Sequence, residues 1–231
     1  MPRRPRVFIL GLPVHVIQRG NNRGQVFFGA KDAHKYLDWL AEAAAEHKLA
    51  IHAYVLMTNH IHLLATPDTA HSLPRAMRDV NWRYSRHIND TQTRTGSVWE
   101  GRYRASVIEA EDYFFACSRY IELNPVRAGL AETPGAYRWS SYKANALGAA
   151  DPVVTPHELY AAHGESPATR AEAYSALFEG AISEPALGAI REAVNGGWPL
   201  GRDSFVALVS RHAGQPLQPR KRGRPKAKIT R

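Results

Sequence analysis

Residues 51–66, Ile51-His52-Ala53-Tyr54-Val55-Leu56-Met57-Thr58-Asn59-His60-Ile61-His62-Leu63-Leu64-Ala65-Thr66, decide the fold. Two apolar runs, IHAYVLM and HIHLLAT, flank the polar pair Thr58-Asn59. Short runs rich in β-branched and aromatic residues around a turn-forming pair read as a β-hairpin. Upstream, residues 12–19, LPVHVIQR, alternate and carry β-branched residues, so they read as another strand, followed by a loop at 20–24, GNNRG. Between that loop and the hairpin, Leu37, Leu40 and Ala44 recur at helical spacing, predicting a helix from Asp32 to about Lys48 with Asp32 as N-cap. Downstream, residues 72–89 read as a helix with Ser72 as cap and Pro74 in its first turn. SVWEG and RYRASVIEA suggest a second, looser strand pair, and 111–123, EDYFFACSRYIEL, a helix that Pro125 helps to end. Strands interleaved with helices around a tight hairpin predict an α+β fold, a ferredoxin-like antiparallel sheet with helices on one face.

Around Leu147 to Pro156 the composition turns to Ala, Gly and Pro, a candidate boundary, and beyond it 156–162, 168–181, 185–195 and 203–213 read as short helices. The expected division is therefore a domain at 1–145, a helical region at 146–214 and a basic tail at 215–231. The chain has 231 residues and one cysteine, Cys117, which excludes an intramolecular disulfide and a thiolate zinc cluster. No apolar run approaches the roughly 18 residues of a membrane span, and the opening MPRRPRVFILGLPV is too short and proline-broken for a signal peptide, so the cytoplasm is the expected location. The formal charge is +9, and seven of the thirty Lys and Arg residues lie in the last 12, RKRGRPKAKITR, without an acid. The rest of the chain is close to neutral. That distribution points to a polyanionic partner.

His60-Ile61-His62 is the first constellation with chemistry. Side chains alternate along a strand, so both imidazoles share one face while Ile61 enters the other. The pair suits one metal ion or, read blandly, is two surface histidines on a half-buried strand. Zinc deaminases need a glutamate two after the first histidine and a later pair of cysteines, and this chain has neither. The second constellation is Tyr120 and Asn124, four apart on one helical face with Tyr113 seven before Tyr120. A tyrosine beside a metal site is competent to attack a phosphodiester, although its phenol, with a reference pKa of about 10, needs activation. A core aromatic with its hydroxyl at the surface is the bland reading.

Taken together, residues 54–64 (YVLMTNHIHLL) and 119–129 (RYIELNPVRAG) resemble the REP-associated tyrosine transposases, relatives of the IS200/IS605 transposases among the His-hydrophobic-His (HUH) endonucleases. The opening HVIQRGNN (15–22), VWEGRY (98–103) and WSSY (139–142) are similar to that family too, so the resemblance spans roughly residues 8–145. It implies a ferredoxin-like catalytic domain that cleaves and rejoins single-stranded DNA beside REP-type hairpins through a 5′-phosphotyrosine. His60 and His62 are then ligands of a divalent ion, Mg or Mn, and Tyr120 is the nucleophile. Asn124 stands where insertion-sequence relatives carry a metal-ligating Gln, with the same amide oxygen on a shorter stem.

Arg19, Asn21, Asn22, Arg23, Arg78, Arg83, Arg102 and Arg104 are candidate DNA contacts, and Trp82, Trp99 and Tyr103 candidate stacking surfaces or core aromatics. In the tail, Arg222-Gly223-Arg224-Pro225 resembles an AT-hook core, in which an extended Arg-Gly-Arg lies in a narrow minor groove. A generic basic tail on phosphates is the plain alternative. The sequence reading is thus a metal-dependent single-strand DNA transferase that needs no nucleotide cofactor. Its rival is a domesticated hairpin-DNA-binding protein without useful catalysis.

Overall fold

The computed structural model describes residues 6–218, and the candidate tail contacts Arg222 and Arg224 lie outside them. The order is β1 (Val14–Arg19), α1 (Ala30–Glu46), β2 (Leu49–Met57), β3 (His60–Pro67), α2 (Ser72–Thr91), β4 (Arg104–Val107) and α3 (Ala110–Glu122). There follow α4 (Asn124–Arg127), α5 (Tyr142–Leu147), α6 (Glu158–Ala161), α7 (Pro167–Ala176), α8 (Glu184–Gly196) and α9 (Asp203–His212). The four strands form one antiparallel sheet in the order β2-β3-β1-β4, the ferredoxin-like arrangement expected. The hairpin register pairs Met57 with His60 and Val55 with His62, with a bulge between Ile51 and Ala53. Among the described residues no helix is long and apolar enough to cross a membrane.

Strand alternation gives the sheet two faces. Val14, Val16, Ile51, Leu56, Ile61 and Leu63 turn to one side and pack beneath α1 and α2. Ala53, Val55, Met57 and Leu64 turn to the other and meet Phe114, Cys117 and Ile121 of α3 with Leu187, Ile190 and Ala193 of α8. Helices on one face describe α1 and α2; α3 and α8 add a layer on the second face. Periodicity along one strand cannot reveal that added layer, because α8 arrives from more than 100 residues downstream.

Three local expectations shift. Asp32 is not the N-cap of α1, which is Gly29; it sits at the third helical position and its Oδ2 accepts from the Phe28 and Gly29 amides, at 2.9 and 3.1 Å. Its Oδ1 meets His87 Nε2 at 2.8 Å, so one carboxylate closes α1 and ties it to α2. Ser72 is the first residue of α2 rather than its cap, with Oγ taking the Thr69 amide. Residues 97–101 form no strand with β4, which pairs with β1; they contribute one bridge, Gly20 to Trp99.

Sheet edges expose unpaired backbone groups and invite association unless covered. Here the later chain covers both. Along β2, the Leu56 amide donates to the Trp139 carbonyl at 2.8 Å, the Tyr54 amide to Ser141 Oγ at 2.8 Å, and the Thr155 amide to the Ile51 carbonyl at 2.7 Å. Beyond β4, the Leu200 amide donates to Val107 and the Glu109 amide to Leu200, each at 2.8 Å.

Candidate active site

The α3 side of the sheet carries the expected chemistry. Register places Arg19 opposite His60, Ile17 opposite His62 and His15 opposite Leu64, all on this face. Tyr120 reaches the same place from α3. Its ring centroid lies 5.7 Å from that of His62 and 5.6 Å from that of His15, both edge-on, and His60 and His62 are 5.1 Å apart. The structure thus brings together the HxH pair and the tyrosine, although 58 positions separate His62 from Tyr120. Tyr120 is 6% exposed, His62 2% and His15 1%. Tyr113 is only partly buried and packs at the margin of the second core.

Burial sets the charge state of the histidines. Desolvation pushes His60 down to about 4, with Arg19 adding to it, and His15 to about 3. Desolvation first, then His15, His60, Arg19 and Arg127, holds His62 well below its ordinary value. Imidazoles that stay neutral at pH 7 keep a lone pair, the form a metal binds. Each ring also has one nitrogen engaged. His60 Nδ1 is 2.7 Å from Asn59 Oδ1, and His62 Nδ1 is 2.8 Å from His15 Nε2.

Asn124 faces the end of α3. Its Nδ2 donates to the carbonyls of Tyr120 at 2.9 Å and Ile121 at 3.3 Å, which leaves Oδ1 as its free acceptor. Arg127 donates from its guanidinium to the Tyr120 carbonyl at 2.6 Å and lies 4.4 Å over the Tyr120 ring centroid. Arg127 and His15 lie within the family-like motifs of the sequence, but nothing in local periodicity places them against Tyr120.

Arg19, the cross-strand partner of His60, lines a cleft of ≈ 460 Å³ whose other walls include Arg6, Arg102, Arg104, Tyr103 and Trp198. Arg19 and Arg104 both reach the C-terminal turn of α8, at Asn195 Oδ1 (3.2 Å) and the Asn195 carbonyl (2.7 Å). A cation there complements the negative end of the helix. Arg102 is exposed, as are Asn21, Asn22 and Arg23 in the loop after β1. Gly20 is required in that loop: a Cβ would meet the Gly24 carbonyl oxygen at 2.3 Å. Arg78 and Arg83 lie on α2, on the far side of the sheet, paired with Asp79 and Glu42. Trp99 and Tyr103 are core residues, whereas Trp82 is exposed on α2 with Arg86 beside its ring.

A second cluster of ligand types, Glu46, His47 and Asp79, converges within 4.8 Å on the α1–α2 layer. It lies on the opposite side of the sheet from Tyr120, and Asp79 there is already engaged by His47 Nε2 and Arg78 Nε, each at 2.7 Å.

A family model described as "Transposase IS200 like" matches residues 9–124, half of the chain, which takes in His15, His60, His62, Tyr120 and Asn124 but neither Arg6 nor Arg127 and the residues beyond it. Among solved structures, a REP-associated tyrosine transposase bound to a REP hairpin is similar in fold, with a TM-score of 0.54 and 16% identity over 68% of this chain and 93% of that one. A Deinococcus radiodurans R1 protein assigned as a transposase aligns at 20% identity over 50% of this chain and 91% of its own, with a TM-score of 0.37. No curated protein matches.

Proposed function

The chain belongs to the IS200-like transposase family, and from that premise we propose that it breaks and rejoins single-stranded DNA beside a REP-type hairpin, acting in the cytoplasm through Tyr120. One observation carries the reading: the Tyr120 ring sits edge-on against His62, with the Arg127 guanidinium over its face. The hairpin substrate rests on the resemblance of residues 119–129 and on the fold neighbour captured with such DNA.

His60 and His62 fit a divalent ion, Mg or Mn: burial favours their neutral form, they share one face, His60 with Nδ1 on an amide oxygen offers Nε2, and His62 offers Nε2 when its Nδ1 donates to His15. Asn124 Oδ1 is the further candidate ligand. When bound, the ion supplies Lewis acidity at a non-bridging phosphate oxygen. Tyr120 Oη attacks the phosphorus, the Oη–P bond forms, and the bond from phosphorus to the 3′ oxygen breaks. The phenol loses its proton, and the departing 3′ oxygen gains one. The phosphotyrosine conserves the bond energy, and attack by another 3′ hydroxyl reverses the step, so no nucleotide is consumed. Arg127 stabilises negative charge on the phenol oxygen as its proton leaves. Arg19 and Arg102, with Asn21 and Asn22 on the neighbouring loop, hold the phosphates of the strand as it passes His60.

The test is incubation of the full chain with a single-stranded hairpin oligonucleotide and Mn, followed by a denaturing gel. A covalent protein–DNA band that needs Mn supports the transferase. Tight binding in a native gel with no such band replaces it by a hairpin-binding protein.

A further inference from the structure

Metal-binding histidines need their second nitrogen fixed, because it sets which tautomer the ring adopts and where its lone pair points. Both histidines have such a partner, of different kinds. Asn59 is held by its own amide nitrogen, which donates to the Arg23 carbonyl at 2.8 Å. That direction leaves Asn59 Oδ1 toward His60 Nδ1 at 2.7 Å. An amide oxygen only accepts, so His60 carries its proton on Nδ1 and presents an unprotonated Nε2. The Arg23 carbonyl is aimed by two consecutive left-handed residues, Asn22 (φ 52°) and Arg23 (φ 56°), so the GNNRG loop sets the amide that sets the histidine. For His62 the partner is His15, whose Nε2 lies 2.8 Å from His62 Nδ1. His15 is 1% exposed, and its Nδ1 has no hydrogen-bond partner. A buried polar atom without a partner is costly, and this one is kept beside the nucleophile.

We propose that Asn59 and His15 are positioning residues that hold His60 and His62 in one tautomer, Nδ1–H engaged and Nε2 free, so that the pair is set for a divalent cation before DNA arrives. With the ion on His62 Nε2, His62 Nδ1–H donates to His15 Nε2, and His15 carries its proton on Nδ1, edge-on to Tyr120. The inference rests on the metal reading of His60 and His62 given above.

The probe is Mn²⁺ alone, titrated into the full chain without DNA and followed by electron paramagnetic resonance of the free ion. His15→Leu and Asn59→Ala should each weaken Mn²⁺ binding about 10- to 100-fold, the usual effect of losing such a partner. His15→Gln and Asn59→Asp, which keep an acceptor, should recover most of that loss. Hairpin binding in EDTA should not change, because the loss falls on the ion and not on the DNA. Leucine and alanine variants that bind Mn²⁺ like wild type, or acceptor variants as weak as they are, overturn the proposal. A separate arm needs no metal: histidine side-chain ¹⁵N spectra of the chain in EDTA should show His60 protonated on Nδ1, and Nε2 protonation there sinks the Asn59 half. These spectra and His15→Gln decide the matter even if His15→Leu does not fold. Should His60→Ala/His62→Ala bind Mn²⁺ as tightly as wild type, the metal reading itself fails, and the ¹⁵N result shows separately whether the Asn59 bond exists.

Discussion

At the scale of single residues the nucleophile is the sharpest assignment. Tyr120→Phe deletes one oxygen and keeps the ring that packs on His15, His62 and Arg127. Both cleavage and the covalent band should vanish while hairpin binding persists, and His60→Ala/His62→Ala should behave alike. An adduct that survives Tyr120→Phe but not Tyr113→Phe would move the nucleophile two turns back along the same helical stripe. Arg127 makes a separate claim. Its guanidinium contacts both the ring and the carbonyl of Tyr120. A partly desolvated cation over an aromatic face is worth about 1–2 kcal/mol. Arg127→Ala should therefore slow cleavage about 5- to 30-fold, with a smaller effect on hairpin affinity. Single-turnover rates beside equilibrium binding check it, and equal losses in both would make Arg127 a DNA-binding residue only.

At the scale of elements, α3 does two jobs, and the sequence discloses one. Tyr120 and the apolar stripe of Phe114, Cys117 and Ile121 are legible from helical spacing. Glu122 is not: in sequence it is an ordinary acid near a helix end, yet it is wholly buried. Ser141 Oγ at 2.5 Å and Asn145 Nδ2 at 2.9 Å donate to its Oε1, and Tyr174 Oη at 2.9 Å to its Oε2. Those donors come from 19, 23 and 52 residues away, beyond the reach of any local pattern. The same limit hid His15, Arg127 and the α8 wall, whereas the hairpin, with its partners a few residues apart, was legible almost to the register. Desolvation raises Glu122 to about 7, against the lowering pull of its three donors. The folded chain thus holds this proton more tightly than the unfolded chain, whose carboxyl titrates near 4.5. Stability contributed by the protonated form is present below pH 4.5 and is lost as pH rises to about 7. The loss is on the order of 3 kcal/mol, at about 1.4 kcal/mol per pH unit. Glu122→Gln keeps an oxygen for Ser141 and Asn145 and offers Tyr174 an amide, so it should flatten this slope and melt higher than wild type at pH 8. Denaturant titrations across pH 5–8 measure it; parallel curves for the two proteins would refute it.

At the scale of the molecule, the family match ends at residue 124, but the packing does not. Residues 139–141 and 155 cover the β2 edge, 200 covers β4, and α8 buries Leu187 and Ile190 against the second face. Ending the chain at Gly148 would expose that apolar face and leave the β4 edge bare. Such a chain should aggregate or melt without cooperativity, measurable by light scattering and calorimetry. A soluble, cooperatively folded product would show that residues 146–214 are an independent appendage.

Charge is the other molecule-wide property, and it is concentrated in the last 12 residues, seven of them Lys or Arg. Each phosphate contact releases counterion, with a log–log salt slope of about −0.7 on single strands and −0.9 on duplex. Removing residues 219–231 keeps Leu217, which is buried against the body and hydrogen-bonded to Ser210, and deletes all seven cations. DNA binding should weaken and its salt dependence flatten, while the covalent band at saturating DNA remains, because Tyr120, His60 and His62 are untouched. If Arg222-Gly223-Arg224 enters a minor groove, the loss should be larger on AT-rich than on GC-rich duplex, since narrow grooves concentrate negative potential. An equal loss on both leaves plain phosphate contact. Unchanged affinity and slope after the deletion would remove the tail from DNA binding altogether and leave the strand to the arginines of the cleft that Arg19 lines.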